Sequence, residues 1–217
     1  MTMRDRILDS AERLMGRLGY QKMTMDDIAR EAGIGRRTIY LHFPSKEETA
    51  LATIDRIVDR LKSRLGKLAA SDLSWEERLR GMLLERVLFR FDSVRDYYHS
   101  IDEIFRSLRP AYMARRARYF AEEAAIFAAV LSGGRAAGAF ELDDPGTTAT
   151  TLLLSTNALL PSSLSTRELG ERADVEVRAV RIADLLLRGL SPRADRGGAA
   201  EPSIRPPRRR AVTSRRD

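Results

Sequence analysis

Apolar residues return every three or four positions along most of the chain, and strand-like alternation is nowhere sustained. Ile7, Leu8, Ala11, Leu14, Met15 and Leu18 form the first stripe, predicting a helix over about 3–18 that Gly19 ends. Thr24 with Asp27 has capping-box spacing, and Met25, Ile28, Ala29 and Ala32 give a second, two-turn helix. Gly33 follows where a chain leaving a helix turns left-handed, a conformation cheap for glycine. A third helix fits 36–43, with Ile39 and Phe43 inward and Pro44 as its stop. Ser45 and Glu48 open a fourth, which carries Leu51, Ile54, Val58, Leu61 and Leu65 to a break made by Gly66 and the Ala69-Ala70-Ser71-Asp72 stretch. Ser74 and Glu77 open a fifth, with Leu79, Leu83, Val87 and Phe91 buried. Helix six spans about 95–108 and is closed by Pro110. Helix seven spans 111–132, punctuated by Gly133, Gly134 and Gly138. Asp143 or Asp144 caps helix eight (145–160), and helix nine covers 168–188. The predicted fold class is all-α, with about nine helices.

Residues 24–48 are the most informative stretch. Ala29 is small enough for close helix crossing, Gly33 makes the sharp turn and Ile39 plugs the angle, which is the spacing of a helix-turn-helix. Arg37, Thr38, Tyr40 and Leu41 then point away from the core, and Arg36 reaches the same face. Two arginines leading an exposed helix suit guanine edges in a major groove, where the guanidinium fork matches O6 and N7. Tyr40, His42 and Lys46 are phosphate-seeking donors on the edge of that helix, and Lys46 sits at a helix N-terminus. Helical hairpins of the same pattern also occur as scaffold in enzymes.

Residues 7–58 resemble the DNA-binding domain of the tetracycline-repressor (TetR) family of bacterial transcriptional regulators. The likeness rests on Ile7-Leu8, Ala11, Leu18-Gly19-Tyr20, Thr24, Ile28-Ala29, Ala32-Gly33-Ile34, Thr38-Ile39-Tyr40, His42-Phe43 and Lys46, and above all on Tyr-x-His-Phe-x-x-Lys. The resemblance implies that Arg36, Arg37 and Thr38 face bases or flanking phosphates, while Thr24, Tyr40, His42 and Lys46 grip the backbone. Gly35 departs from the pattern, standing where the family usually has a capping serine or threonine. Glycine at an N-cap costs only a few tenths of a kcal/mol. The implied organisation is a helix-turn-helix domain (1–48), a helical ligand-binding and dimerisation domain (49–190) and an Arg/Pro-rich tail (191–217) expected to be disordered.

Helices eight and nine are more apolar than a monomer's surface requires; either both are simply core, or they pair subunits. Leu153, Leu160, Ala179, Ile182 and Leu186 are expected to form a dimer interface, two helices per subunit, an arrangement that the resemblance also implies. The resemblance further implies a small-molecule pocket within helices four to eight. Its candidate lining is Phe89, Tyr97, Tyr98, His99, Phe105, Tyr112, Tyr119 and Phe127, with Asn157 as a polar anchor, which suits a mostly apolar effector carrying a hydrogen-bonding group.

Composition changes this picture little. Of the net charge of +7, the segment 191–217 contributes +5, with eight arginines against Asp195, Glu201 and Asp217, so overall basicity says little about the helix-turn-helix. The chain has no cysteine and its longest unbroken apolar run is Ala124–Leu131, which predicts a cytoplasmic protein without membrane spans. No Gly-rich phosphate loop, catalytic constellation, cofactor motif or paired metal-spaced histidines are found; His99 beside Asp96, Asp102 and Glu103 lacks matching ligands on other helices. The reading is therefore a regulator rather than an enzyme, most simply a repressor that binds a palindromic operator as a homodimer and is released by a small molecule. Its rivals are a helical carrier or enzyme using the helix-turn-helix as scaffold, and a non-specific nucleic-acid binder driven by the arginine tail.

Overall fold

The computed structural model describes residues 1–95, 98–161 and 166–192, leaving out the side chains of residues 98–99 and 166–167. The arginine-rich tail, from residue 193 onward, lies outside the described residues. Ten α-helices and no strands occur among the described residues: α1 (Met3–Leu18), α2 (Met25–Glu31), α3 (Arg36–His42), α4 (Lys46–Ala69), α5 (Trp75–Val94), α6 (Tyr98–Ser107), α7 (Arg109–Ala136), α8 (Pro145–Thr156), α9 (Thr166–Leu169) and α10 (Arg172–Leu190). A short 3-10 turn, Asn157–Leu159, extends α8.

The helix starts follow from local chemistry. Thr2, Thr24 and Ser74 each form a reciprocal capping box, with Asp5, Asp27 and Glu77 respectively, so orphan backbone donors at the first turns of α1, α2 and α5 are satisfied. Ser45 caps α4 and Asp144 caps α8. Gly33 adopts φ +65°, and the Ile34 N–H closes back onto the Ala29 carbonyl at 3.0 Å, which sets the angle between α2 and α3. Ile39 is fully buried in that angle, a burial that contributes about 1.5–3 kcal/mol.

Three of the expected stops do not end a helix. Gly66 lies inside α4, which runs on to Ala69, where the rest of the expected break begins, because Leu65 and Leu68 on either side pack into the core. Gly133 and Gly134 lie inside α7, where they make room rather than end the helix. A Cβ on Gly133 would stand 2.4 Å from the Trp75 ring, and one on Gly134 would stand 2.3 Å from Phe140. Pro110 belongs to the first turn of α7 rather than closing α6, since its missing N–H is one that a helix start leaves unbonded anyway.

The buried core among the described residues falls into three clusters. One cluster joins Ile7, Leu14, Ile28, Ile39 and Phe43 of the N-terminal helices to Ile54, Val58, Ile101, Tyr112 and Tyr119. A second joins Leu61, Leu83, Phe127, Leu131 and Leu153, and a third joins Val87, Phe91, Leu160, Val175 and Ala179. Helix α4 threads the first two. At 24 residues it is about 36 Å long, and Arg56 ties it to Asp9 and Glu12 of α1, both at 2.7 Å. On the other side, Ser100 of α6 accepts from the Tyr20 N–H (3.0 Å) and donates to the Met15 carbonyl (2.8 Å).

Three of the five expected interface residues face inward. Leu153, Leu160 and Ala179 are buried within the single chain, because α8, the end of the 3-10 turn after it and α10 use those positions to pack on α5 and α7. Ile182 and Leu186 are partly exposed. The outward apolar residues of the two helices are Leu154 (58% exposed), Val177 (49%) and Leu185 (68%).

Candidate nucleic-acid interface and effector cavity

Helix α3 presents its outer face to solvent. Arg36, Arg37, Tyr40 and Leu41 are exposed and Thr38 and His42 half-exposed, while Ile39 and Phe43 hold the helix down from behind. Leu41 is 77% exposed, which leaves an apolar tip on an otherwise polar face. Thr24, Arg36, Tyr40 and Lys46 line one shallow groove with Asp26 between them.

Not every cation on that face is unengaged. The Arg36 guanidinium is 3.1 Å from Asp26 in an exposed ion pair. The Lys46 ammonium donates to the carbonyls of Tyr20 (3.3 Å) and Gln21 (3.2 Å) and sits 4.6 Å from the centre of the Tyr20 ring. Burial, with the Glu47 charge as a lesser cause, pushes the Tyr20 hydroxyl up to about 12. Lys46 therefore pins the α1–α2 loop while keeping a third donor available. The Thr24 hydroxyl is engaged with Asp27 in the α2 capping box, which a backbone contact would have to share.

Between α4, α5, α6 and α7 lies a cavity of about 60 Å³. Its walls are mostly apolar and include Ile54, Ile57, Val58, Ile101, Phe105 and Leu160. Its polar end has an unusual charge content: Arg86, Arg90, Arg116, Glu123 and Asn157 all line it. Arg86 and Glu123 are each 1% exposed. The Arg86 Nε donates to Glu123 (2.9 Å), and its terminal nitrogens donate to Thr156 Oγ1 (2.5 Å), the Leu153 carbonyl (3.2 Å) and Asn157 Oδ1 (2.9 Å). Arg90 donates to the other Glu123 oxygen. Burial lowers the Arg86 pKa to about 10, with Glu123 opposing that shift, so the group stays charged at neutral pH.

Two sets of contacts run from this cavity toward α3. On α7, Arg115 bonds Glu48 (2.6 and 2.7 Å) and Asp55 (2.7 Å), and the Tyr119 hydroxyl donates to Asp55. Burial first, and that bond second, raise the Tyr119 pKa. On α6, Ile101 and Phe105 face the cavity while Ser100 and Glu103 accept from the backbone of Tyr20 and Gln21, the residues whose carbonyls hold Lys46.

Of the expected lining, Phe105, Tyr112, Tyr119 and Asn157 do face the cavity. Phe89 does not: it lines a separate surface groove, with the Arg64 guanidinium 4.7 Å from its ring centre. Phe127 is fully buried in the second core cluster instead. Both lie on faces of α5 and α7 turned toward other helices. Tyr97, and the side chains of Tyr98 and His99, lie outside the described residues. Sequence reasoning missed Arg86, Arg90, Arg116 and Glu123. The available signal was Arg86 and Arg90 one turn apart beside Leu83 and Val87, on a helix face otherwise apolar. Among the described residues no group of three or more metal-ligating side chains converges, and no helix is long and apolar enough to cross a membrane.

Residues 7–61 match the family model for bacterial regulatory proteins of the tetR family. The HTH-type transcriptional regulator EthR of Mycolicibacterium smegmatis is 42% identical over 57 residues, 26% of either chain, and EthR of Mycobacterium tuberculosis H37Rv is 41% identical over 63 residues, 29% of either. The alignment thus spans little more than a quarter of these curated relatives. Over a longer stretch, the crystal structure of a TetR/AcrR-family regulator from Thermobifida fusca superposes with a TM-score of 0.67 at 27% identity, covering 86% of this chain and 97% of that one. Residues 7–61 thus match the N-terminal domain of the TetR family of bacterial transcriptional regulators, and the chain as a whole is similar in its all-helical fold to the Thermobifida fusca regulator.

Proposed function

We propose that this protein is a ligand-responsive DNA-binding regulator, a repressor that occupies a palindromic operator as a homodimer and leaves it when a small molecule enters the cavity. The observation that carries this reading is the solvent-facing surface of α3, with Arg36 and Arg37 at its leading end. Residues 1–48 are the reading head. Arg36, Arg37, Thr38 and Leu41 meet the major groove, and Thr24, Tyr40, His42 and Lys46 meet the backbone. Residues 49–190 hold the effector and pair the subunits. The outward residues Leu154, Val177 and Leu185, together with Ile182 and Leu186, form the seam between copies.

The release mechanism follows from size. About 60 Å³ accommodates a few water molecules. Small-molecule sites usually offer roughly 300–1,000 Å³. An effector therefore enters by spreading α4, α6 and α7, and the Arg115 and Ser100 contacts carry that displacement to the head. Differential affinity for the spread state supplies the coupling, typically about 1–3 kcal/mol.

Selection of bound duplexes from a random pool tests the reading directly. Replacing Arg36 and Arg37 with alanine should then cost about 1–3 kcal/mol of discrimination for each bidentate arginine–base pairing removed. Undiminished specificity in the double variant would remove α3 as the reading element. Specific binding should also survive truncation after Leu190, and its loss would transfer the role to the arginine tail.

A further inference from the structure

The charges around the cavity do not balance. Among the described residues that line it, three guanidiniums, Arg86, Arg90 and Arg116, face a single carboxylate, Glu123. Glu123 is fully committed, one oxygen to Arg86 and the other to Arg90. Four of the five Arg86 N–H groups are taken, by Glu123, Thr156, Asn157 and the Leu153 carbonyl. Arg116, by contrast, makes no hydrogen bond or ion pair with any described residue, although it is half-buried and lies close enough to add to the positive field at Arg86. The described lining thus carries a surplus of about two positive charges and one guanidinium without a protein partner, set against apolar walls of Ile54, Ile57, Ile101 and Phe105.

We propose that the effector is an amphipathic organic carboxylate, whose head pairs with Arg116, assisted by Arg90, and whose hydrocarbon or aromatic body lies along the α4 and α6 walls. This deepens the ligand-responsive reading above and rests on it. A carboxylate matches a guanidinium in size and in bidentate geometry, and its attraction is strengthened where apolar walls exclude water. A neutral molecule would leave Arg116 desolvated and unpaired, and a cation would meet net repulsion. Glu123 has a part in this selectivity. By accepting from both, it holds Arg86 and Arg90 side by side against their mutual repulsion, and it leaves the surplus charge at the Arg116 end.

The test is calorimetry on the DNA-free protein with octanoate, methyl octanoate and octylamine as probes, which share a chain and differ in head charge. Octanoate should bind roughly 10–100-fold tighter than the ester, the range expected for a charge-assisted hydrogen bond. Octylamine should bind more weakly than either. Arg116→Gln should bring octanoate down to the affinity of the ester, and Arg116→Lys should restore part of the preference as a point charge. Equal affinities for acid and ester, or an unchanged preference in Arg116→Gln, would overturn the assignment. Because this readout needs no DNA, octanoate selectivity without any preferred duplex would sink the regulator reading and leave the site standing. A preferred duplex with no acid selectivity would do the reverse.

Discussion

Replacing Glu123 with glutamine changes no volume and one charge, so it isolates what the buried carboxylate contributes. In the wild-type chain its two oxygens accept from Arg86 and Arg90, and Glu123 is 1% exposed. A glutamine can still present its carbonyl to one guanidinium, but its amide N–H groups then confront the donors of the other. Removing one member of a buried pair typically costs about 3–5 kcal/mol, because the partner's charge is left uncompensated. Here two guanidiniums lose their counter-charge, yet Arg90 keeps 17% of its side chain in contact with water and can turn outward. The lower part of the range, about 3–4 kcal/mol, is therefore expected. For a chain of 217 residues, each kcal/mol moves the melting point by about 2–4 °C, so Glu123→Gln should melt roughly 6–16 °C below wild type. The assay is thermal unfolding by circular dichroism at one fixed protein concentration, since self-association also shifts the midpoint. A melting point within about 2 °C of wild type would refute the reasoning, because at the smallest shift per kcal/mol it limits the pair to about 1 kcal/mol.

Other expectations follow from burial and backbone geometry. On the paired-subunit reading, Leu185→Arg should sediment as folded monomers, whereas Leu153→Arg should unfold the chain itself; an intact Leu185→Arg dimer would place the seam elsewhere. Gly66, where an added methyl would meet nothing within 4 Å, should accept alanine with a gain of about 0.5–1 kcal/mol in denaturant unfolding. Gly134→Ala should lose about 1–3 kcal/mol against the Phe140 ring, and equal effects at the two glycines would discount that close approach. The Asp27 pKa is lowered from 3.8, chiefly by the Thr24 hydroxyl bond, so its contribution is complete above that value and drains away as pH falls through the lower folded value. Asp27→Asn should flatten the acid limb of a melting curve recorded between about pH 2 and 5, and an unaltered limb would count against the capping carboxylate.

The helix-turn-helix was legible because its determinants are local. The capping boxes at Thr24 and Ser74, the left-handed Gly33 and the inward Ile39 are each set by neighbours within a few residues, and each falls where the spacing put it. The body was less legible for three physical reasons. The meaning of Gly133 and Gly134 depends on Trp75 and Phe140, which arrive from other elements of the fold. Helix α8 is apolar on more than one side, so composition alone could not tell buried Leu153 from outward Leu154. Arg86 and Arg90 of α5 have no partner near them in the sequence and become cavity lining only where α7 brings Glu123 across from them.

The pairing of Arg36 with Asp26 bears on how this protein would tolerate salt. Each cation that neutralises a phosphate normally frees condensed counterions, and each such contact steepens the logarithmic decline of affinity with salt by about 0.9. An arginine that must first give up a carboxylate exchanges one intramolecular partner for another, and the displaced Asp26 then recruits a cation of its own. Its contribution to the decline is correspondingly muted. On the DNA-binding function proposed above, a head built this way would hold a duplex across a wider range of ionic strength than its count of arginines suggests, with bases rather than phosphates setting the balance.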